Sequence, residues 1–330
     1  MTNSVVSIGI DVAKDKLQMA WLRQVQPLQV KPKSLPNTAK GHEELLDWLL
    51  KNTGVAVEQL RITLEPTNIY HEGVALYLHD HGCQVCLVNA KQVMDFAASL
   101  GNLSKNDRKD SVMLARFGLL MNPRVWQPAP LEIRQLHALL DRLDTLQAGL
   151  QQEENRLDTL QLRENFPATV KTSLEDSITF LKQSMQAIRD KIDDHIDRHP
   201  GLKTDQKWLA TIPGVGKLTA QRMIAVIRSR DFTKASQVAA FMGIVPIERS
   251  SGTSVFKRPR ISRRGDPELR GKLFMPVVAA ITHNPTVQAF YRKLLANKKH
   301  QRAAMTAAMR KLVHICFGVL KNQQAFSPAV

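Results

Sequence analysis

Only three cysteines, Cys83, Cys86 and Cys316, occur in 330 residues, so no disulfide framework can hold this chain, and its thiol content fits a reducing compartment. Cys83 and Cys86 form a lone Cys-x-x-Cys with no second pair, which reads as buried thiols rather than a zinc site. Four Trp and three Tyr are too few and too scattered for a base-stacking platform. No apolar run approaches the roughly 18 uninterrupted residues of a membrane span. Met1 to Asp11 is apolar but closed by an acid, and it lacks the basic start and cleavage site of a signal peptide. A cytoplasmic chain without a membrane partner is therefore expected. Acids, too, run out: none follows Glu268, while Arg270, Lys272, Arg292, Lys293, Lys298, Lys299, Arg302, Arg310, Lys311 and Lys321 do.

What is present is a large apolar fraction, 43%, which excludes a mainly disordered chain, and a net charge of +16 that makes a polyanion the default partner. The charge is not spread evenly. Residues 1–150 carry 16 Lys/Arg against 15 Asp/Glu, residues 151–200 carry 7 against 10, and residues 201–330 carry 23 against 5. The last third therefore holds a net +18, the footprint of a nucleic-acid-binding region.

Three regions emerge: an α/β domain over 1–130, a helical arm over 131–200 and a basic, mainly helical domain over 201–330. In the first, Val5 to Ile10 reads as a buried strand ending at Asp11, and Lys16 to Leu22 as a strand pairing back antiparallel. Leu60 to Leu64 is a strand stopped at Glu65-Pro66, and Gln84 to Val88 is another. His42 to Leu50, Gly73 to His81, Val93 to Leu100 and Ser111 to Met121 have helical spacing. In the arm, Leu136, Leu139, Leu143, Leu146, Leu150, Leu157 and Leu160 step by threes and fours. After a break at Pro167, Leu174, Ile178, Leu181, Met185, Ile188 and Ile192 repeat the pattern, which is that of a coiled coil. A seam between two copies, giving a homodimer or homotetramer, is preferred to a hairpin within one chain.

Carboxylates mark the first domain. Asp11 and Glu65 end strands, and Asp107 and Asp110 lie three apart at the front of a helix, on one face. Four acids gathered at a sheet edge repel one another unless cations fill the cluster, and hard oxygen donors select Mg²⁺ or Mn²⁺. Two such ions activate an attacking oxygen and stabilise a leaving one in phosphodiester chemistry. The order strand-Asp, strand-Glu, helix Asp-x-x-Asp is that of the RNase H-like, RuvC-type nuclease fold.

The basic domain offers two further patterns. Leu209 to Ala220, with Gly214, Gly216 and Lys217, reads as a helix-hairpin-helix, whose glycines and free N–H groups suit phosphate binding without base readout. Phe232 to Gly243 reads as a further helix. Pro246 to Pro267 reads as an irregular polar stretch carrying Arg249-Ser250-Ser251-Gly252-Thr253-Ser254 and then Lys257, Arg258, Arg260, Arg263 and Arg264. The guanidinium groups suit a phosphate clamp. A hydroxyl there could serve as nucleophile, but composition does not choose among Ser250, Ser251, Thr253 and Ser254. From Asn297 to Lys321 the pattern is a basic amphipathic helix with small residues.

Gly9-Ile10-Asp11-Val12-Ala13-Lys14, Leu64-Glu65-Pro66-Thr67, Lys105-Asn106-Asp107-Arg108-Lys109-Asp110, Ile212-Pro213-Gly214-Val215-Gly216, Ser251-Gly252 and Met309-Arg310-Lys311-Leu312 occur in that order. Over nearly its whole length the chain resembles the transposases of the insertion sequence 110 family, which are related to the pilin-gene invertase. His283-Asn284-Pro285 and the Met-Arg-Lys-Leu run look most like the 1111 subgroup. The resemblance implies a RuvC-like DEDD domain with Asp11, Glu65, Asp107 and Asp110 as its tetrad, joined by a coiled coil to a transposase domain. It puts the serine nucleophile at Ser251, before the glycine, forming a 5′-phosphoserine link to DNA and leaving a 3′-OH. It also implies donor and target DNA as partners and a structured noncoding RNA as guide. This chain has Lys-Asn-Asp and Asp-Ser where common members have Lys-Thr-Asp and Asp-Ala, which removes no carboxylate. Two other readings stay open: a Holliday-junction-type DEDD nuclease that uses water, and a non-catalytic architectural nucleic-acid binder.

Overall fold

The computed structural model describes residues 5–101, 107–162, 166–251, 255–261 and 265–328; along 107–108, 161, 248–251 and 255–259 only the backbone is described. The chain forms two compact units, 1–128 and 129–330.

The first unit is built on a five-stranded sheet. β1 (Val6–Val12), β2 (Lys16–Gln24) and β3 (Gln29–Pro36) form an antiparallel meander. After α1 (Ala39–Thr53), β4 (Leu60–Leu64) returns parallel to β1. After α2 (Glu72–Asp80), β5 (Gln84–Leu87) adds in parallel to β4. The sheet order is β3-β2-β1-β4-β5. Two helices complete the unit, α3 (Ala90–Ser99) and α4 (Asp107–Met121).

Every strand expected from the sequence is present, and β3 is an addition. Its Lys31, Lys33 and two prolines carry no buried-strand signal; it is an edge strand defined by pairing with β2. The central strands are apolar on both faces, as parallel strands must be. Ile8, Ile10, Leu60, Ile62 and Leu64 are fully buried, in one cluster with Leu45 and Leu49 of α1 and Val74, Ala75 and Leu78 of α2. Thr38 caps α1, its side chain accepting from the Gly41 N–H, and Gly54 closes the helix in the left-handed region at φ 66°.

The opposite face of β1 and β4 receives α4 at backbone distance. Ser7 Oγ donates to the Ala115 carbonyl at 2.7 Å. A Cβ at Gly9 would overlap the Ser111 carbonyl oxygen and the Ala115 nitrogen, and one at Gly118 would overlap Thr63 Oγ1. A glycine inside a strand and another inside a helix are the signature of such close approach.

In the second unit, α5 (Leu131–Gln161) and α6 (Ala168–Arg198) pack against each other. Leu136, Leu140, Leu143, Leu146 and Leu150 face Ile178, Met185, Ile192 and Ile196 in one buried cluster, and Lys182 pairs with Glu154 at 3.1 Å. Where a seam between copies is expected, the two stripes pack on each other within one chain, as a helical hairpin, because the break at Pro167 lets the second helix fold back on the first; Leu157, Leu181 and Ile188 stay only partly buried. Leu140 joins the seam, and Leu139 is only half-buried.

The same core continues into the basic part. It contains α7 (Pro200–Ala210), α8 (Lys217–Arg228), α9 (Ala235–Phe241), a two-stranded ribbon of β6 (Pro246–Ser251) and β7 (Val255–Ile261), and then α10 (Pro267–Lys272), α11 (Phe274–His283), α12 (Pro285–Ala296) and α13 (Gln301–Asn322). The ribbon corrects the expectation of an irregular stretch over Pro246 to Pro267. Its strands have little apolar content and are defined by pairing with each other. The helix expected over Phe232 to Gly243 is limited to α9, with Gly243 in the left-handed region at φ 68°.

α13 alone among the described helices is long and apolar enough to cross a membrane by length and composition. In this structure it is a core helix. Ala304 and Ala308 are fully buried, and Leu312, Val313, Cys316 and Leu320 are buried with them. Small residues at helical spacing let neighbouring helices close on it.

Candidate functional site

The sheet register brings two of the four acids together. Ile10 pairs with Leu64 across the parallel β1–β4 ladder, so the next positions, Asp11 and Glu65, lie side by side where both strands end. Neighbouring strands are about 4.8 Å apart, which is carboxylate-pair distance. Alternation puts Asp11 on the face of Ser7 and Gly9, and Glu65 on the face of Thr63.

α4 crosses that face. Its residues 111 and 115 lie on Gly9, and residue 118 lies on Thr63 and Ser7, so the helix runs opposite to β1. The N-terminal end of α4 is therefore directed toward the end of the sheet that carries Asp11 and Glu65. Asp110 immediately precedes the fully buried Ser111, and Asp107 is the first residue of the helix. Asp11, Glu65 and Asp110 are each half-buried and each engaged by other groups. Among the described residues no three His, Cys, Asp or Glu side chains are gathered as a metal site; the Asp107 side chain lies outside that description. The donor set is all carboxylate oxygen, which fits a hard divalent ion and not zinc.

Cys83 and Cys86 are both buried thiols. Burial pushes the Cys83 thiol up to about 12, with a smaller push from Glu58, and burial also raises Cys86. His79 makes a 3.2 Å contact with Asp80 at a polar helix end. Neither group forms a metal centre.

In the second unit the α7–α8 turn separates its two glycines. Gly214 lies in the left-handed region at φ 93°, and a Cβ there would come within 2.6 Å of the Ala280 backbone in α11. The side of Gly214 on which a Cβ would lie thus faces α11. Gly216 is different: open space surrounds its Cβ position, and it caps α8 with no side-chain bond to the first turn. Lys217 Nζ donates to Asp193 at 2.6 Å, an exposed pair worth at most about 1 kcal/mol and so readily exchanged for phosphate.

On the ribbon, Ser251 pairs with Val255 at the last rung, Ser250 with Phe256, and Arg249 with Lys257. Alternation therefore places position 251 on the face of position 249 and position 250 on the other. Arg258 lies in β7, and Arg260 is exposed near its end. Gly252, Thr253, Ser254, Arg263 and Arg264 lie outside the described residues.

Residues 8–167 match a DEDD transposase model of the IS110 type, described as "Transposase", and residues 206–292 match the "Transposase IS116/IS110/IS902 family". The pilin gene-inverting protein of Moraxella lacunata is 30% identical over 98% of both chains, and that of Moraxella bovis is 29% identical over the same shares. The chain belongs to the IS110 family of transposases. A transposase for insertion sequence element IS1111A from Coxiella burnetii is 26% identical over 74% of this chain and 73% of its own. The transposase is accordingly an enzyme that cleaves and rejoins DNA, and its DEDD domain implies use of a divalent metal.

Cations of the second unit that sequence reasoning did not assemble into a site are Lys299, Arg310 and Lys311. They converge with Arg260 on one cleft between α12, α13 and the ribbon. The spacing 303, 307, 310, 314 along one face of α13 is the signal that could have drawn attention to Arg310, whereas Lys299 lies in the connection before that helix.

Proposed function

We propose that this transposase breaks and rejoins DNA through Ser251, with a divalent ion held by Asp11, Glu65, Asp107 and Asp110, under the direction of a structured noncoding RNA. The register that sets Asp11 beside Glu65, under a helix that begins with the Asp-x-x-Asp pair, is the observation that carries the metal part. The strand order β3-β2-β1-β4-β5, antiparallel then parallel, supports an RNase H-like, RuvC-type domain over 1–130. A coiled-coil arm over 131–200 and a transposase domain over 201–330 complete the reading. The ion is Mg²⁺, with Mn²⁺ as substitute; when bound it supplies Lewis-acid stabilisation of charge on the reacting phosphate oxygens.

Ser251 Oγ forms a bond to the scissile phosphorus. The P–O3′ bond breaks, and the 3′-oxygen leaves as a hydroxyl carrying the proton that the serine loses. The product is a 5′-phosphoserine link with a free 3′-OH, reversed when a new 3′-OH attacks. Arg249, Lys257, Arg258, Arg260, Arg263 and Arg264 neutralise the phosphate charge, and Gly216 with the N–H groups of α8 grips the backbone of the duplex. Gly214 serves that turn by letting α11 close on it.

The decisive experiment incubates the transposase with DNA carrying its own element ends and Mg²⁺, then denatures the mixture and maps any protein–DNA adduct by mass spectrometry. An adduct on Ser251 is expected. Cleavage with 5′-phosphate ends and no adduct would instead establish the water-using nuclease reading. Sequencing the nucleic acid that copurifies tests the guide: a recurrent structured RNA is expected.

A further inference from the structure

The larger cavity of the second unit, about 1000 Å³, has Glu132, Asp205 and Asp231 among its lining residues, so its cations have partners at hand. The second cavity, about 640 Å³, has no acid among the described residues that line it. It is bounded by α12, α13 and the base of the β6–β7 ribbon, and Arg260, Lys299, Arg310 and Lys311 line it. None of these four makes an ion pair among the described residues. Four cations around one concavity, with no acid partner among the described residues, repel one another, a cost that an anionic ligand offsets.

Most of the remaining wall is apolar, with Thr306 turned to its own helix through a bond to the Arg302 carbonyl. Phe290 projects from α12, Ala303 and Ala307 give α13 a low floor, and Ile244 and Ile261 close the ribbon side. At one end lies His314, whose Nε2 is buried and has no hydrogen-bond partner. Burial, reinforced by Arg310 and Lys311, lowers its pKa and favours the neutral ring, which can either donate or accept. A buried polar atom without a partner costs about 1–3 kcal/mol, and a ligand polar group would relieve that cost.

We propose that this cleft holds one unstacked nucleotide of the bound strand. Its base lies against Phe290, Ala303 and Ala307 with an edge toward His314, and its flanking phosphates lie on Arg260, Lys299, Arg310 and Lys311. The volume is in the range of small-ligand pockets, roughly 300–1,000 Å³, and far too small for a duplex, so the occupant is a base turned out of its stack. The inference rests on the reading of this unit as the nucleic-acid-binding one. It adds a base-accepting site to a surface otherwise read as gripping only phosphate.

The test uses the full chain and single strands carrying one 5-iododeoxyuridine, or one 5-iodouridine in RNA, crosslinked by ultraviolet light and mapped by mass spectrometry. Crosslinks to α12 or α13 peptides, centred on Phe290, are expected. Ala307→Trp, which fills the cleft, is expected to cut their yield at least tenfold while total strand binding falls less than threefold. Should that variant melt early, Arg310→Ala, which removes charge and not packing, is expected to cut the yield by a similar factor. Loss with the deoxy strand alone assigns the occupant to DNA, and loss with the ribo strand alone assigns it to RNA; either supports the cleft. Competition by AMP at a tenfold lower concentration than inorganic phosphate is the further expected result. Undiminished crosslinks in folded variants, or equal competition by phosphate, would overturn the nucleotide site and leave the serine chemistry untouched. A strand that does not bind at all would overturn both.

Discussion

Gly9 of β1 lies directly beneath Ser111 of α4, so close that a Cβ on residue 9 would overlap the residue-111 carbonyl oxygen. This contact sets the height of the helix above the sheet, and with it the approach of Asp110 to the strand ends. Gly9→Ala should destabilise the first unit by about 3 kcal/mol or more, since backbone on both sides must move. Gly118→Ala meets the Thr63 side chain instead, which can rotate, and should cost about 1–2 kcal/mol. Urea unfolding of the two variants checks the order.

Asp11→Asn and Glu65→Gln should each reduce strand cleavage to background while DNA binding and melting temperature stay close to those of the parent. EDTA should abolish cleavage by the parent and Mg²⁺ restore it. Cleavage that is indifferent to both EDTA and Asp11→Asn would refute the metal site.

Ser250 and Ser251 occupy successive rungs of one ribbon and so opposite faces of it. Ser251→Ala should abolish adduct formation and rejoining. Ser250→Ala should keep both within about tenfold. The reverse pattern would move the nucleophile by one residue. Gel-shift binding serves as the control for both variants.

The thiols give a pH prediction. Burial pushes both Cys83 and Cys316 up to about 12 from an ordinary value near 9. At pH 8 the folded chain should therefore react with Ellman's reagent at no more than one thiol within minutes, and at all three in denaturant. Between pH 9 and 12 the unfolded chain loses these protons and the folded chain keeps them, so stability should be full below pH 9 and fall above it. Flat stability across that window would contradict the burial.

α7 and α8 are tied by a two-pronged bond: Arg228 Nε donates to Asp205 Oδ2 at 2.7 Å and Nη2 donates to Oδ1 at 2.8 Å. Asp205 is 4% exposed, whereas the Arg228 side chain is 39% exposed and partly hydrated. Asp205→Ala should cost about 2 kcal/mol, less than a fully buried pair would. Chemical denaturation measures it.

Much of the first unit was legible because its signals are local. β1 and β4 are short apolar runs that end in an acid, and helix spacing located α1 and α4 within a few residues. β3 and the ribbon were not legible. Lys31, Lys33, Lys257 and Arg258 give no strand pattern, and only pairing with a neighbour makes those segments strands. The heptads of α5 and α6 announce an apolar seam but are silent on whether the partner is another copy or the same chain returning. The acids could be named from strand ends, whereas the cleft at His314 needs β6–β7, α12 and α13 brought together, which no local pattern encodes. Gly9 and Gly118 drew no reading from the sequence, because their role depends on the backbone that faces them.

The α5–α6 hairpin has one more consequence. Among the described residues its polar ties to the rest of the unit come from its base, and include His137 to the Ala225 carbonyl, Arg222 and Lys272 to Asp144, Lys217 and Gln221 to Asp193, and Lys203 to Asp197. Beyond Asp144 the outer 17 residues of α5 extend about 25 Å at 1.5 Å per residue. Joined to the core of the unit at its base, with its outer part packed on its own return helix, the hairpin is a cantilever. Its load is borne at Asp144 and Asp193, so loosening either anchor should swing the far end through a wide arc while leaving the leucine packing intact.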